Sequence, residues 1–140
     1  MKISIVTVVF NCVEFIRPCI ESVESQDYPD IEHIVIDGGS TDGTVSEIKS
    51  LISGIHYFES CRDLGMYDAL NKGISVATGR YVGILNADDC LAATNVISAI
   101  AALFAKADCD AVYGHLKITK RRDVHSIIRH WNSRQYHLSD

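Results

Sequence analysis

Carboxylates and carboxamides stand where apolar runs end: Phe10-Asn11, Asp37-Gly38, Asp63 and Asn86-Ala87-Asp88-Asp89. In the last of these, two adjacent acids follow a buried run, which costs energy unless their charge is neutralised. A divalent cation does this with hard oxygen ligands from a carboxylate and a diphosphate, and it then offsets charge on a departing nucleotide. The same pair also reads as turn or capping aspartates before a helix. The loop Asp37-Gly38-Gly39-Ser40-Thr41-Asp42-Gly43-Thr44 is suited to cradle a nucleotide, with Asp37 accepting from a base or ribose. Its glycines match neither the dinucleotide fingerprint nor a phosphate-binding loop, so a plain loop with a helix cap is the alternative. Asp68 and Asn71 lie one turn apart on one helix, beside Lys72, which either meets phosphate or belongs to a solvated face ended by Gly73.

Other reactive side chains carry less. Cys90 adjoins the acids, but no sequence neighbour supplies a base or cation, so a small buried residue is expected. His125 and His130 are five apart and do not align on one helix face; with His115 and His137 they read as polar surface. Trp131 and Tyr136 are placed to pack against a further part of the protein or to meet an acceptor.

Alternating strands and helices must position these groups. Ile3–Phe10 is a near-continuous apolar run, as in a strand buried on both faces. Asn11 is placed to cap a helix reaching about Gln26, with Pro18 implying a later start or a kink. A strand over 31–36 precedes the glycine loop, and a helix from Thr44 ends at Gly54. Further expectations are a strand over 55–59, a helix over 66–77, a strand over 81–85, a helix over 94–106 and a short strand over 111–113. This order implies a mostly parallel sheet with helices on both faces, binding ligands at the carboxyl ends of its strands. From His115 the pattern weakens around Lys117, Lys120, Arg121 and Arg122, and the end reads as cut rather than complete.

Composition sets the outer limits. The chain has 140 residues, 47% hydrophobic and 22% charged, as one soluble globular domain requires. A net charge of -5 argues against a general nucleic-acid binder. No apolar run approaches the roughly 18–20 residues of a membrane span, and Met1-Lys2-Ile3 does not open a signal peptide. Five scattered cysteines without a C-x-x-C pair fit reduced thiols in the cytoplasm.

The order and spacing of these motifs, with Ser22-Val23-x-x-Gln26 and Gly79-Arg80-Tyr81-Val82-Gly83-Ile84-Leu85 between them, resemble family 2 glycosyltransferases. The branch most similar builds bacterial capsule, exopolysaccharide and lipopolysaccharide chains. The likeness runs over roughly residues 2–118. It implies an α/β GT-A fold, Rossmann-like and three-layered, with residues 1–118 as the nucleotide-sugar-binding part and 119–140 as a basic tail leading to an acceptor-side segment. It also implies transfer, with inversion, from a nucleotide-diphosphate sugar to a saccharide or lipid-linked acceptor.

Carried over by position, the donor would meet Val8, Phe10, Asn11, Asp37, Gly38, Asp63, Asn71, Asn86 and Ala87. Asp88, with Asn86 and Asp89, would hold Mn2+ or Mg2+. Many relatives have Asp-Asp where Asp37-Gly38 stands, and Asp where Asn86 stands. No residue here matches the family's catalytic base, which is expected beyond residue 140. The resemblance thus implies a chain that binds donor without transferring sugar, at the inner face of the membrane, associating with it peripherally or with itself. A binding-only nucleotide-sugar domain is the alternative; the glycine spacing argues against a nucleotidyltransferase or dinucleotide enzyme. Removing Asp37 is expected to weaken nucleotide binding and leave the fold intact.

Overall fold

The computed structural model describes residues 1–107, 109–121 and 123–133, with the backbone alone at Val124 and His125. Two compact units divide between Ala101 and Ala102.

The first unit is built on β1 (Ile3–Val9), whose seven residues are all buried. It pairs in parallel with β2 (Ile31–Asp37) on one side and β4 (Tyr81–Asn86) on the other. β3 (Tyr57–Ser60) extends the sheet beyond β2, giving the order β3-β2-β1-β4. Alternation along β1 decides which helix covers which face. Ile3, Ile5 and Val9 pack with α1 (Ile16–Glu24), α2 (Thr44–Ser50) and the first part of α4 (Val96–Lys106). Val6 and Val8, with Ile34 and Ile36, pack on Ala69 and Leu70 of α3 (Met66–Val76). The expected α/β sandwich is therefore present in this unit.

Several boundaries differ from the sequence reading. Asn11 does not cap α1: its backbone is left-handed at φ 47 and α1 starts only at Ile16. Pro18 then falls in the first turn, where a missing N–H costs nothing. α2 stops at Ser50, and a 3-10 turn over Ile52–Gly54 leads to β3, which starts at Tyr57 rather than Ile55. Gly73 ends no helix. It is buried within α3, and a Cβ there would collide with Val6 Cγ1, so its missing side chain sets how closely α3 approaches β1.

The second unit holds an antiparallel hairpin, β5 (Leu116–Lys120) and β6 (Asp123–Trp131), with register shifts around Thr119. The stretch expected as a tail from 119 thus contains half a hairpin, and the short strand expected at 111–113 is absent. Basic residues masked the alternation here, because both strands are largely exposed. His115 is exposed and accepts from the Ser133 N–H at 3.0 Å. His130 is exposed too, as is Trp131, 62% accessible; Tyr136 and His137 lie outside the described residues. Among the described residues, no helix is long and apolar enough to cross a membrane.

His33 lies inside the sheet at 1% exposure. Its Nε2 is 3.0 Å from Thr7 Oγ1, and its Nδ1 has no hydrogen-bond partner among the described residues. Burial, then the neighbouring His56, pushes the imidazole down to about 4. A group held neutral this way contributes stability that is complete above its unfolded value of 6.5 and lost as pH falls towards 4. Between pH 7 and 5 this amounts to roughly 2 kcal/mol. Urea unfolding should show that loss in the native chain and a flatter profile in His33→Asn. Gly73→Ala should lower stability by about 1–3 kcal/mol, the usual cost of overpacking, in the same assay.

Candidate active site

The chain runs from β1 out to β2 and β3, then returns to place β4 on the other side of β1. Connections leaving β1 and β4 therefore diverge, and a crevice opens at their carboxyl ends. A cavity of about 660 Å3 lies there. Val8, Val9, Phe10 and Cys12 line it from β1 and the loop after it, and Asn86, Ala87 and Asp88 from the end of β4. Gly38, Arg62 and Asp63 close the side towards β2 and β3; Gly65, Met66 and Ala69 supply the start of α3. Phe10 is 64% exposed, an aromatic face open to a ligand.

Seven expected site residues thus share one cavity: Val8, Phe10, Gly38, Asp63, Asn86, Ala87 and Asp88. Asn11, Asp37, Asn71 and Asp89 are not on its lining. Asn71 is exposed on α3. Lys72 is tied to Asp68 at 3.2 Å and lies 3.5 Å from Cys61 Sγ, so it too is engaged elsewhere.

Asp37 departs furthest from expectation. It is fully buried, and Oδ2 accepts from the N–H groups of Gly39 (3.1 Å) and Ser40 (3.0 Å) and from Ser60 Oγ (2.7 Å). Its Oδ1 accepts from Ser40 Oγ. These bonds fold the glycine loop and pin it to the end of β3. Asn11 works alongside it: its N–H donates to Ser40 Oγ at 2.7 Å, and its Oδ1 accepts from Thr41 N–H at 2.9 Å. Both are organisers of the cavity wall.

Gly38 has a spatial reason. A Cβ on it would lie 2.7 Å from Asp63 Oδ2, so the glycine makes room for that carboxylate. Asp63 Oδ1 accepts from Gly65 N–H at 2.9 Å, which steadies the side chain over the β2 end.

At the end of β4, Asp89 N–H donates to the Asn86 carbonyl at 3.0 Å, forming a turn. Partial burial, then the charge of Asp88, raises the Asp89 carboxyl above its ordinary value; Asn86 Nδ2 at 3.5 Å opposes the rise. Among the described residues no Lys or Arg pairs with either acid. Cys90 is exposed rather than buried as expected; partial burial and the Asp89 charge push its thiol up, so it is a poor nucleophile.

The Ser22–Gln26 motif secures this corner. Ser22 Oγ accepts from Leu91 N–H at 3.1 Å, Gln26 Nε2 donates to the Ala93 carbonyl at 2.7 Å, and Gln26 Oε1 accepts from Ile97 N–H at 3.0 Å. Gln26 therefore caps α4 from a distance and fixes the loop that follows the acids.

This geometry accords with the comparisons with known proteins. The profile described as Glycosyl transferase family 2 matches residues 4–139. The chain belongs to this family. An uncharacterised glycosyltransferase of Mycobacterium tuberculosis is 36% identical over 114 residues, covering 80% of this chain and 44% of that protein. A PGL/p-HBAD biosynthesis glycosyltransferase of Mycobacterium bovis is 31% identical over 115 residues, covering 79% and 45%. The chain thus spans less than half the length of these curated relatives. Among solved structures, the mannosyltransferase PcManGT of Pyrobaculum calidifontis, in complex with GDP-Man and Mn2+, is 25% identical with a TM-score of 0.67, covering 87% of this chain and 36% of that one. S. aureus TarS 1-349 in complex with UDP-GlcNAc is 22% identical with a TM-score of 0.69, covering 76% and 32%, a likeness of fold. The family 2 chain therefore has the expected GT-A type of fold.

Asp37→Ala should lower stability by about 1–3 kcal/mol, because several donors lose their acceptor together. Thermal melts of the free chain will show a fall in midpoint if Asp37 holds the loop, and none if it faces the ligand.

Proposed function

We propose that this chain forms the donor half of a glycosyltransferase that takes sugar from a nucleotide diphosphate. The observation that carries this is the crevice between β1 and β4, with Phe10 and Asp63 towards the strands on one side and Asp88 at the end of β4. The nucleoside lies against Phe10 and Asp63, and the diphosphate reaches the end of β4.

A divalent cation fits the acids. Asp88 lines the cavity, partial burial and then the Asp88 charge raise Asp89, and no cation of the described residues compensates them. No group of three or more His, Cys, Asp or Glu side chains suited to a metal occurs among the described residues. The ion would thus take one or two carboxylates and complete its shell with phosphate oxygens and water, as Mg2+ commonly does. Asp88 would ligate it directly and Asn86 through water. When bound, the metal neutralises charge on the departing nucleoside diphosphate. PcManGT was solved with GDP-Man and Mn2+, which supports Mn2+ as the first ion to test.

The finer parts of this reading are also proposals. Transfer proceeds with inversion to a saccharide or lipid-linked acceptor, at the cytoplasmic face of the membrane. Inversion needs a base for the acceptor hydroxyl. Asp63 and Asp88 are assigned to donor and metal, so that base comes from outside the crevice described. Exposed Ile127, Ile128 and Trp131 offer apolar groups on the hairpin for association.

Calorimetry with UDP and GDP, each with Mn2+ and with chelator, tests the core of the proposal. Binding of at least one nucleotide should need Mn2+, and Asp88→Ala should abolish the Mn2+ effect while leaving the melting midpoint near that of the native chain. Equal affinity in chelator would overturn the metal assignment. Failure of both nucleotides to bind would overturn the function.

A further inference from the structure

Arg62 is the charged residue of the cavity that neither the family resemblance nor the expected site includes. It is exposed, lines the cavity, and has no ion-pair or hydrogen-bond partner among the described residues, although Asp63 adjoins it in sequence. Its backbone is firmly seated: a Cβ on Gly39 would lie 3.3 Å from both its Cα and its N. Gly39 has φ 87, a conformation L side chains rarely adopt, so this close contact suits glycine. Gly38 likewise leaves space for Asp63. The two glycines together seat consecutive residues, one with an unpaired guanidinium and one with a carboxylate oxygen free of protein donors.

Position along the sheet decides what that pair can meet. Arg62 and Asp63 sit over the end of β2, while Asp88 follows β4 on the other side of β1. Two to three strand spacings separate them, roughly 10–14 Å. A diphosphate held by a metal at Asp88 thus leaves the far end of the nucleotide, its base, beside Arg62. The geometry points to Arg62 as a specificity-determining residue that donates to a carbonyl of the nucleobase, while Asp63 accepts from the ring N–H next to it. This inference rests on the donor-half reading above. The pair selects bases that carry a carbonyl beside a ring N–H, as uracil and guanine do. Adenine has neither a carbonyl nor a ring N–H, so it cannot satisfy the two side chains together.

The test titrates the native chain, Arg62→Met and Arg62→Lys with UDP, GDP, ADP and inorganic pyrophosphate, all with Mn2+. Arg62→Met should weaken the preferred carbonyl-bearing nucleotide by about 10- to 100-fold, the range of one hydrogen bond to a charged group. It should leave pyrophosphate and ADP unchanged, and the melting midpoint too; Arg62→Lys should restore part of the loss. Equal weakening of pyrophosphate would make Arg62 a phosphate anchor and overturn the inference. So would unchanged affinity for UDP and GDP, or equal weakening of ADP. A native chain that binds neither UDP nor GDP would instead defeat the donor-half reading from which the inference starts.

Discussion

β1 is paired on both edges and covered on both faces, and the remaining architecture of the first unit follows from that constraint. Its backbone groups are satisfied within the sheet and its side chains, Ser4 and Thr7 apart, lie in apolar layers, so a polar ligand has room only past its end. Parallel pairing forces each connection to cross over a face, and α1, α2 and α3 fill those crossovers. Because β4 returns on the opposite side of β1 from β2, the loops above the two strands separate. The cavity is a consequence of strand order, and the packing of Gly73 on Val6 seats α3 close against β1.

Carboxylates around this crevice divide into those that build it and those that face it. Asp37 is buried and accepts from donors of its own loop and from Ser60. Asp42 does similar work, accepting from the Thr44 hydroxyl at 2.5 Å, Thr44 N–H at 3.0 Å and Val13 N–H at 3.1 Å, and these bonds, the hydroxyl's foremost, hold its carboxyl below the ordinary range. Asp63 and Asp88 line the cavity instead. The distinction is energetic: a buried carboxylate persists only when hydrogen bonds replace its lost hydration. An exposed one can exchange water for a ligand.

At the opposite end of the sheet, another acid closes the structure. Glu32 accepts from Ser4 Oγ at 2.5 Å and from the N–H and hydroxyl of Thr78 at 2.8 and 2.6 Å, and Gly79 N–H donates to Ser4 Oγ at 2.8 Å. Despite its partial burial, these bonds pull the Glu32 carboxyl down to about 2. They tie the start of β4 to β1 and β2. With Gln26 and Ser22 holding the loop beyond its other end, β4 is fixed at both termini although one of its edges is unpaired within the sheet. Asn86 and Asp88 are thereby presented from a rigid strand end.

Apolar runs, turn residues and motif order determined the α/β class, the alternation of the first four strands with helices and the convergence of polar residues at strand ends. Those features are local, since period and punctuation reflect which faces each segment buries. The hairpin over 116–131 was not legible, because exposed strands rich in charge carry little alternation. Tertiary structure alone decided which polar residues reach the cavity. Asp37 and Asp63 look equivalent in sequence, each an acid after a strand, yet one is consumed by Ser40, Gly39 and Ser60 while the other stands over Gly38. Arg62 carried no motif, and it gained its place because Gly39, from another loop, lets its backbone settle close. A side chain's role at a strand end depends on which neighbours satisfy it first, and residues 23 to 30 positions apart become neighbours only when the sheet forms.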